Sequence, residues 1–343
     1  MDCKAIGLLP LWVEMVKQPD DTSPTRPRLT VVVPATNCPP TLDRCLDAIH
    51  RANERPDQLV VVDRPSSSGP AEARNRGAAQ ATGDVLVFID ADVEVHPDAF
   101  ERFREAFRTD PGLTAAFGAY DDDPERHGLV SDFRNLLHHH VHREGAGEAV
   151  TFWAGLGAVR REGFLAAGGF DDRRFPHASI EDIDLGMRLV ASGGRIILDP
   201  GIQGKHLKRW TLTSMVQTDF VRRGSPWVRL LLSSDPAATT LNLGWRHRAS
   251  AAASGAVVLA LLLRRPRPAA VATICLIALN QEFYRLLLAK RGWRQAAAGI
   301  PLHLLHHLTG IASVPFGVAL YVSDRLADPS DVPLLSSEAF PTR

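Results

Sequence analysis

The sequence predicts an α/β fold, a doubly wound parallel sheet followed by a C-terminal hydrophobic helical region. Three observations predict it. Short apolar runs alternate with helical spacings from Leu29 to Leu198. Acidic residues stand where several of those runs end, at Asp63, Asp90 and Asp92. From Ala249 onward the composition turns to Ala- and Leu-rich stretches separated by basic clusters.

The elements follow in order. Ile6 to Val16 is a short apolar piece that docks as a helix or frays, and a Pro/Asp/Thr linker follows it. Leu29 to Val33 reads as a buried strand stopped by Pro34. Leu42, Cys45, Leu46 and Ile49 give helical spacing over Leu42 to Ala52. Leu59 to Val62 is a second strand, Pro70 to Ala81 a helix, and Val85 to Ile89 a third strand running into Asp90-Ala91-Asp92. A helix over Pro97 to Arg108 and a strand over Leu113 to Tyr120 continue the alternation. In a parallel sheet of this kind ligands bind beyond the carboxyl ends of the strands.

Asp121 to Arg126 reads as an acidic loop, and Phe133 to Arg143 as a helix carrying His138, His139, His140 and His142. No carboxylate has ligand spacing with those histidines, so a solvated or interfacial face is favoured over a metal site. Gly155 to Phe170 gives a strand, a helix and a Gly turn. Ile180 to Ala191 is a helix opening with Glu181, Asp182 and Asp184. A short strand over Arg195 to Leu198 and a helix over Leu212 to Val221 lead to Arg222-Arg223-Gly224.

Ala249 to Leu263 and Ala269 to Leu279 are apolar and fall short of the roughly 20 residues of a spanning helix. Phe283 to Arg294 is basic and amphipathic, and Ala296 to Val322 is apolar with His303, His306, His307, Pro301 and Pro315 inside it. Apolar runs flanked by Arg, Lys and Trp suit the headgroup layer of a membrane. A buried soluble helical subdomain is the alternative. A spanning first run would send the RRPR loop outward, against the positive-inside tendency, which favours a re-entrant or in-plane arrangement.

Composition narrows the function classes. With 343 residues, 45% of them apolar, the chain buries a sizeable core. Its 39 basic and 39 acidic residues cancel, so global charge gives no argument for nucleic acid. Cys3, Cys38, Cys45 and Cys275 form no CxxC pair, and free thiols in a reducing compartment are expected. The N-terminus lacks a secretory pattern, which places the main domain in the cytoplasm.

Three short segments carry chemistry. Asp90 and Asp92, one residue apart where a strand frays, can approach a hard cation such as Mg²⁺ or Mn²⁺; an ordinary acidic loop is the alternative. Glu181-Asp182-Ile183-Asp184 opens a helix, where acids serve as caps or supply a general base for a hydroxyl. Arg74, in ARNRG, is surface charge or a planar fork reaching a phosphate.

In combination and order, LTVVVPATN, QLVVVD, GPAEARNRGAAQATGDVLVFIDADVEVHPDAF, FWAGLGAVRREGFLAAGGFDD and IEDIDLGMRL resemble the family-2 glycosyltransferases of GT-A fold over roughly Leu29 to Leu232. The resemblance implies that Pro34, Ala35 and Thr36 line a nucleotide pocket and that Asp63 contacts the base or ribose. It puts Arg74 beside the nucleotide, Asp90 on the ribose or metal, and Asp92 on the metal. It makes Asp182 the catalytic base with Glu181 beside it. Trp153, Gly155 and Gly157 border the acceptor and donor-sugar site, and His206 faces the metal or diphosphate. Arg222, Arg223 and Trp227 partly echo a Gln-x-x-Arg-Trp motif of processive members, which favours single addition. Arg64 replaces a second Asp common after the position of Asp63.

The expected function is inverting transfer of a sugar from a nucleotide-diphosphate donor to a hydroxyl acceptor, lipid-linked or membrane-presented, with bound Mn²⁺ or Mg²⁺. It would take place at the cytoplasmic membrane, with the catalytic domain facing the cytoplasm. Basic clusters at Lys205 to Arg209, Arg246 to Arg248 and Lys290 to Arg294 would meet anionic headgroups or remain a solvated basic face. The expected boundaries are an extension at 1–28, a GT-A domain at 29–232, a basic linker at 233–248, membrane-associated helices at 249–323 and a tail at 324–343. The alternatives are a catalytically silent nucleotide-sugar-binding subunit and a membrane scaffold. A nucleotidyltransferase finds no Gly-rich, Lys-terminated phosphate loop near Pro34.

Overall fold

The computed structural model of the chain describes residues 12–15, 26–233 and 244–327. Most of the expected extension, linker and tail lies outside the described residues. The described residues fall into two compact units, one drawn from Met1–Glu125 and His142–Lys208, the other from Arg126–Val141 and Arg209–Arg343.

The first unit contains β1 (Trp12–Met15), β2 (Leu29–Pro34), α1 (Leu42–Arg51), β3 (Gln58–Val62), α2 (Pro70–Ala78), β4 (Val85–Ile89), β5 (Val93–Val95), α3 (Ala99–Thr109) and β6 (Leu113–Tyr120). The helix α4 (Leu129–Glu144) follows in the chain and belongs mainly to the second unit. β7 (Gly147–Ala149), β8 (Leu156–Arg160), α5 (Arg161–Ala166), α6 (Glu181–Ala191) and β9 (Arg195–His206) complete the unit. The strands form one sheet in the order β1-β3-β2-β4-β8-β6-β9-β5, with β7 paired to β9.

Every residue of β3 and β4 is buried, as expected of strands covered on both faces. Phe100, Phe103 and Phe107 put the apolar stripe of α3 into the same core as Val31, Val87 and Ile89.

The sheet corrects the expectation of an all-parallel array. β3, β2 and β4 are parallel, but β8 runs antiparallel between β4 and β6. A buried apolar run reads the same in either direction, so periodicity has no access to strand polarity. The apolar piece near the N-terminus is also corrected. Its residues Trp12–Met15 are an edge strand antiparallel to β3, not a helix.

The second unit is helical: α7 (Leu212–Gln217), a π-helical turn (Thr218–Gly224), α8 (Ser225–Ser233), α9 (Trp245–Leu262), α10 (Pro266–Leu279) and α11 (Gln281–Ala327). Gly292 breaks α11 with φ of 80°, a left-handed conformation that glycine adopts without strain from a Cβ. Phe133, Leu136 and Met215 pack with Phe283 and Leu287 in its core. Among the described residues one helix, Gln281–Leu326, is long and apolar enough to cross a membrane. Leu262, Ile274, Phe316 and Val318 are exposed.

Two smaller expectations change. His139 and His142 are buried rather than solvated, and His142 Nδ1 donates to the Gly118 carbonyl at 2.9 Å. Its ring meets Phe117 and Trp153 edge-on, which an amphipathic count cannot foresee. Cys38 is disulfide-bonded, whereas Cys45 and Cys275 are free. Pairing depends on Cα proximity in the fold, which spacing along the chain does not encode.

Candidate active site

The carboxyl ends of β2, β3 and β4 build the site. Pro34 ends β2 opposite Val62. Ala35 N then donates to the Val62 carbonyl at 2.8 Å, and Thr36 Oγ1 donates to the Ser68 carbonyl at 2.8 Å. Asp63 follows β3 directly, and its buried Oδ1 has no hydrogen-bond partner among the described residues. Buried carboxylate oxygens are rarely left unpaired, which makes this atom a candidate acceptor for a ligand donor.

Arg74 ties three elements together. From α2 its Nη1 donates to Glu181 Oε1 at 2.8 Å, and its Nη2 donates to Asp90 Oδ1 at 2.7 Å. Arg74 and Glu181 are both almost wholly buried, at 4% exposure each. Burial works against the charge on Arg74, but Asp90 and Glu181 outweigh it and hold the guanidinium protonated. Burial also pushes the Asp90 carboxyl up, against the pull of Arg74. Both terminal nitrogens of Arg74 hold carboxylates, so it clamps β4 to α6, and its buried Nε has no hydrogen-bond partner among the described residues.

Asp92 and His206 meet because β5 pairs antiparallel with β9, setting Val93 opposite His206. His206 Nε2 lies 3.7 Å from Asp92 Oδ2. Burial opposes ionisation of Asp92, and His206 and Lys208 together with backbone hydrogen bonding outweigh it, holding the carboxyl below the usual range. Adjacent ligands of an octahedral Mg²⁺-sized cation stand about 3 Å apart, for bonds of about 2.1 Å. The Asp92–His206 pair therefore fits a divalent cation after a small rotation. Asp92 is partly open, which leaves room for further oxygen ligands.

The other wall is the chain between β7 and β8. Asp90 N donates to the Gly155 carbonyl at 3.0 Å. A Cβ at Gly155 would come within 2.4 Å of the Trp153 ring, and one at Gly157 within 2.3 Å of the Trp153 carbonyl, so this turn tolerates no side chain. Trp153 packs edge-on against Tyr120, which stacks on His206 at 4.1 Å. Ala154 N donates to Asp182 Oδ2 at 3.1 Å, which aims that carboxylate from the first turn of α6.

The three acids opening α6 have separate duties. Glu181 holds Arg74, and Asp184 accepts from Arg188 Nε at 2.8 Å. Asp182 alone of the three is partly exposed.

The structure thus brings Pro34, Ala35, Thr36, Asp63, Arg74, Asp90, Asp92, Trp153, Gly155, Gly157, Glu181, Asp182 and His206 into one unit. Arg222 and Arg223, on the π-helical turn, and Trp227, in α8, belong to the other unit.

Tyr120 and Gly186 are structural members that sequence reasoning missed. Tyr120 had only its place at the end of a strand to signal it. Gly186 sits inside α6, where a Cβ would meet Phe152 N at 2.3 Å and the Thr151 carbonyl carbon at 2.5 Å. Gly186→Ala should push α6 off the 151–155 segment and destabilise the chain by about 1–3 kcal/mol, as overpacking does. A thermal melt of the variant checks this, and an unchanged Tm would contradict it.

Parts of the chain resemble known proteins. Residues 52–166 match the family model described as glycosyl transferase family 2, a span that includes Asp90 and Asp92 and stops short of α6. The pre-mycofactocin glycosyltransferases of two Mycobacterium tuberculosis strains, CDC 1551 / Oshkosh and H37Rv, are each 30% identical over 150 residues. The match covers 41% of this chain and 31% of the relative, so the chain spans about a third of the length of these curated relatives. Among solved structures, the mannosyltransferase PcManGT from Pyrobaculum calidifontis, in complex with GDP-Man and Mn²⁺, aligns with a TM-score of 0.51. It is 21% identical, with 90% of this chain and 92% of that chain covered, and it shows the fold. Residues 52–166 thus resemble family-2 glycosyltransferases, and the α/β unit has the GT-A fold.

Proposed function

We propose that the α/β unit transfers a sugar from a nucleoside-diphosphate donor to an acceptor hydroxyl, with inversion at the anomeric carbon. The observation that carries this reading is the Asp90–Arg74–Glu181 bridge, which fixes the strand end bearing Asp92 to the helix start bearing Asp182.

Pro34, Ala35, Thr36 and Asp63 hold the nucleoside, with the unpaired Oδ1 of Asp63 accepting from the base or ribose. Asp92 and His206 hold a divalent cation, with Asp90 beside them. When bound, the cation neutralises the diphosphate as charge develops on it. Asp182 accepts the proton of the acceptor hydroxyl as its oxygen attacks. The Ala154 N–H and the N-terminus of α6 favour its ionised form. Glu181 is a positioning residue, because its carboxylate is spent on Arg74. With both flanking acids engaged by arginines, one base acts alone. That arrangement suits a single displacement, and hence inversion.

A thermal-shift screen of nucleoside diphosphates and their sugars, with and without Mn²⁺, tests the donor. A ligand at a hundred times its dissociation constant adds about 2.7 kcal/mol. A metal-dependent rise in Tm for one base is expected, and no rise with any of them would overturn the reading.

We also propose that the helical unit holds the enzyme at the cytoplasmic face of a membrane, where it meets a lipid-linked acceptor. α11 is long and apolar enough to span, large apolar side chains are exposed on α9, α10 and α11, and Trp245 and Trp293 are exposed beside arginines. The full-length chain should float with liposomes, and a chain truncated near Arg248 should not. A full-length chain that stays in solution without detergent and ignores liposomes would refute the anchor.

A further inference from the structure

We infer that the helical unit carries a second metal site, for Zn²⁺ or a similar borderline transition-metal ion, built from His247, His306 and His307. One ring nitrogen from each of these residues lies within 4.8 Å of one from each of the others. His247 comes from the first turn of α9, and the other two are consecutive on α11. Three imidazoles around an open fourth position are a nitrogen set suited to zinc and poorly suited to Mg²⁺ or Mn²⁺. Zinc–nitrogen bonds of about 2.0–2.1 Å put tetrahedral ligands about 3.3 Å apart. Side-chain rotation therefore has about 1.5 Å to close at the widest pair.

Two further observations point to a ligand. His307 is only 2% exposed, and neither of its ring nitrogens has a hydrogen-bond partner among the described residues. An imidazole buried with both nitrogens idle is costly, and a metal bond would satisfy one of them. His306 is oriented as metal-bound imidazoles are. Its Nδ1 meets Asp219 Oδ2 at 2.8 Å, closer than Arg134 Nη1 at 3.4 Å. An ionised carboxylate only accepts, so Nδ1 carries the proton and Nε2 keeps its lone pair for a metal. Asp219 is in turn clamped by Arg134, which balances the charge behind the ligand. The His247 and His307 rings stand 4.8 Å apart, and His303 stacks on His307 at 4.6 Å, so the cluster has little freedom to scatter.

The site shares no residue with the Asp92–His206 pair, and it takes a different class of metal. Its occupation would staple α9 to α11 within the helical unit.

The test uses the full-length chain, purified in detergent and stripped with a chelator. Titration with Co²⁺ should produce the visible absorption of a tetrahedral nitrogen site at about one equivalent, and Zn²⁺ should bleach it. His247→Gln and His306→Gln should each weaken Co²⁺ binding at least tenfold. Asp219→Asn should weaken it about 10- to 100-fold, as loss of an outer partner does. Asp92→Asn should leave the band intact. Among the described residues His247 makes no ion pair, so its variant should keep the fold, and Zn²⁺ should raise Tm in the parent but not in His247→Gln. Absence of the band in the parent would overturn the site. So would a band that survives undiminished in His247→Gln and His306→Gln.

Discussion

Asp182→Asn should cut sugar transfer by about 10²- to 10⁴-fold while leaving donor and metal binding near the parental level. The loss corresponds to about 2.7–5.5 kcal/mol of transition-state stabilisation. The variant isolates the proton acceptor for a structural reason. An Asn Oδ1 can still accept from Ala154 N, and Asn still suits a helix start, so the geometry of α6 should survive. Glu181 stays on Arg74, and Asp184 stays on Arg188. A loss confined to turnover is what removal of a group acting only in the transition state produces. The measurement is a transfer assay beside a donor-binding titration on the same preparation. Transfer at the parental rate would reduce Asp182 to a helix cap and favour a silent nucleotide-sugar-binding subunit.

Asp92→Asn should weaken Mn²⁺-dependent binding of a nucleoside diphosphate by more than the roughly 10- to 100-fold that loss of an outer-shell partner costs. The substitution removes the charge while keeping size, and the backbone bond from Leu207 N to the Asp92 carbonyl at 2.8 Å is untouched. Tm without ligand should therefore stay close to the parent's. Chelation of the parent should reproduce the variant's affinity, and adding Mn²⁺ to the variant should restore little of it. Isothermal titration with and without the metal measures both. Unchanged metal-dependent affinity in the variant would remove Asp92 from the cation site.

Much of the α/β unit was legible in the sequence because its signals are local. Buried β-branched runs, the helical spacing of Leu42, Cys45, Leu46 and Ile49, and the carboxylates after Val85 to Ile89 each report on a few consecutive residues. The break of the last long helix was not legible, because Gly292 falls inside the basic stretch Phe283 to Arg294 with no local signal of a stop beside it.

Only the tertiary structure decided what depends on partners far apart in the chain. It set the antiparallel direction of β8, and it grouped Arg126–Val141 with the helical unit. It brought His206 to Asp92 through the β5–β9 pairing, and it turned Arg74 from a free cation into the clamp between Asp90 and Glu181, 107 positions from its farther partner. It also distinguished three neighbouring acids that the sequence presents alike, burying Glu181 and Asp184 against arginines and leaving Asp182 partly exposed. A one-dimensional pattern records which face of an element is apolar. Which charge meets which, and which carboxylate stays partly exposed, follows from strand register and helix placement that the pattern does not contain.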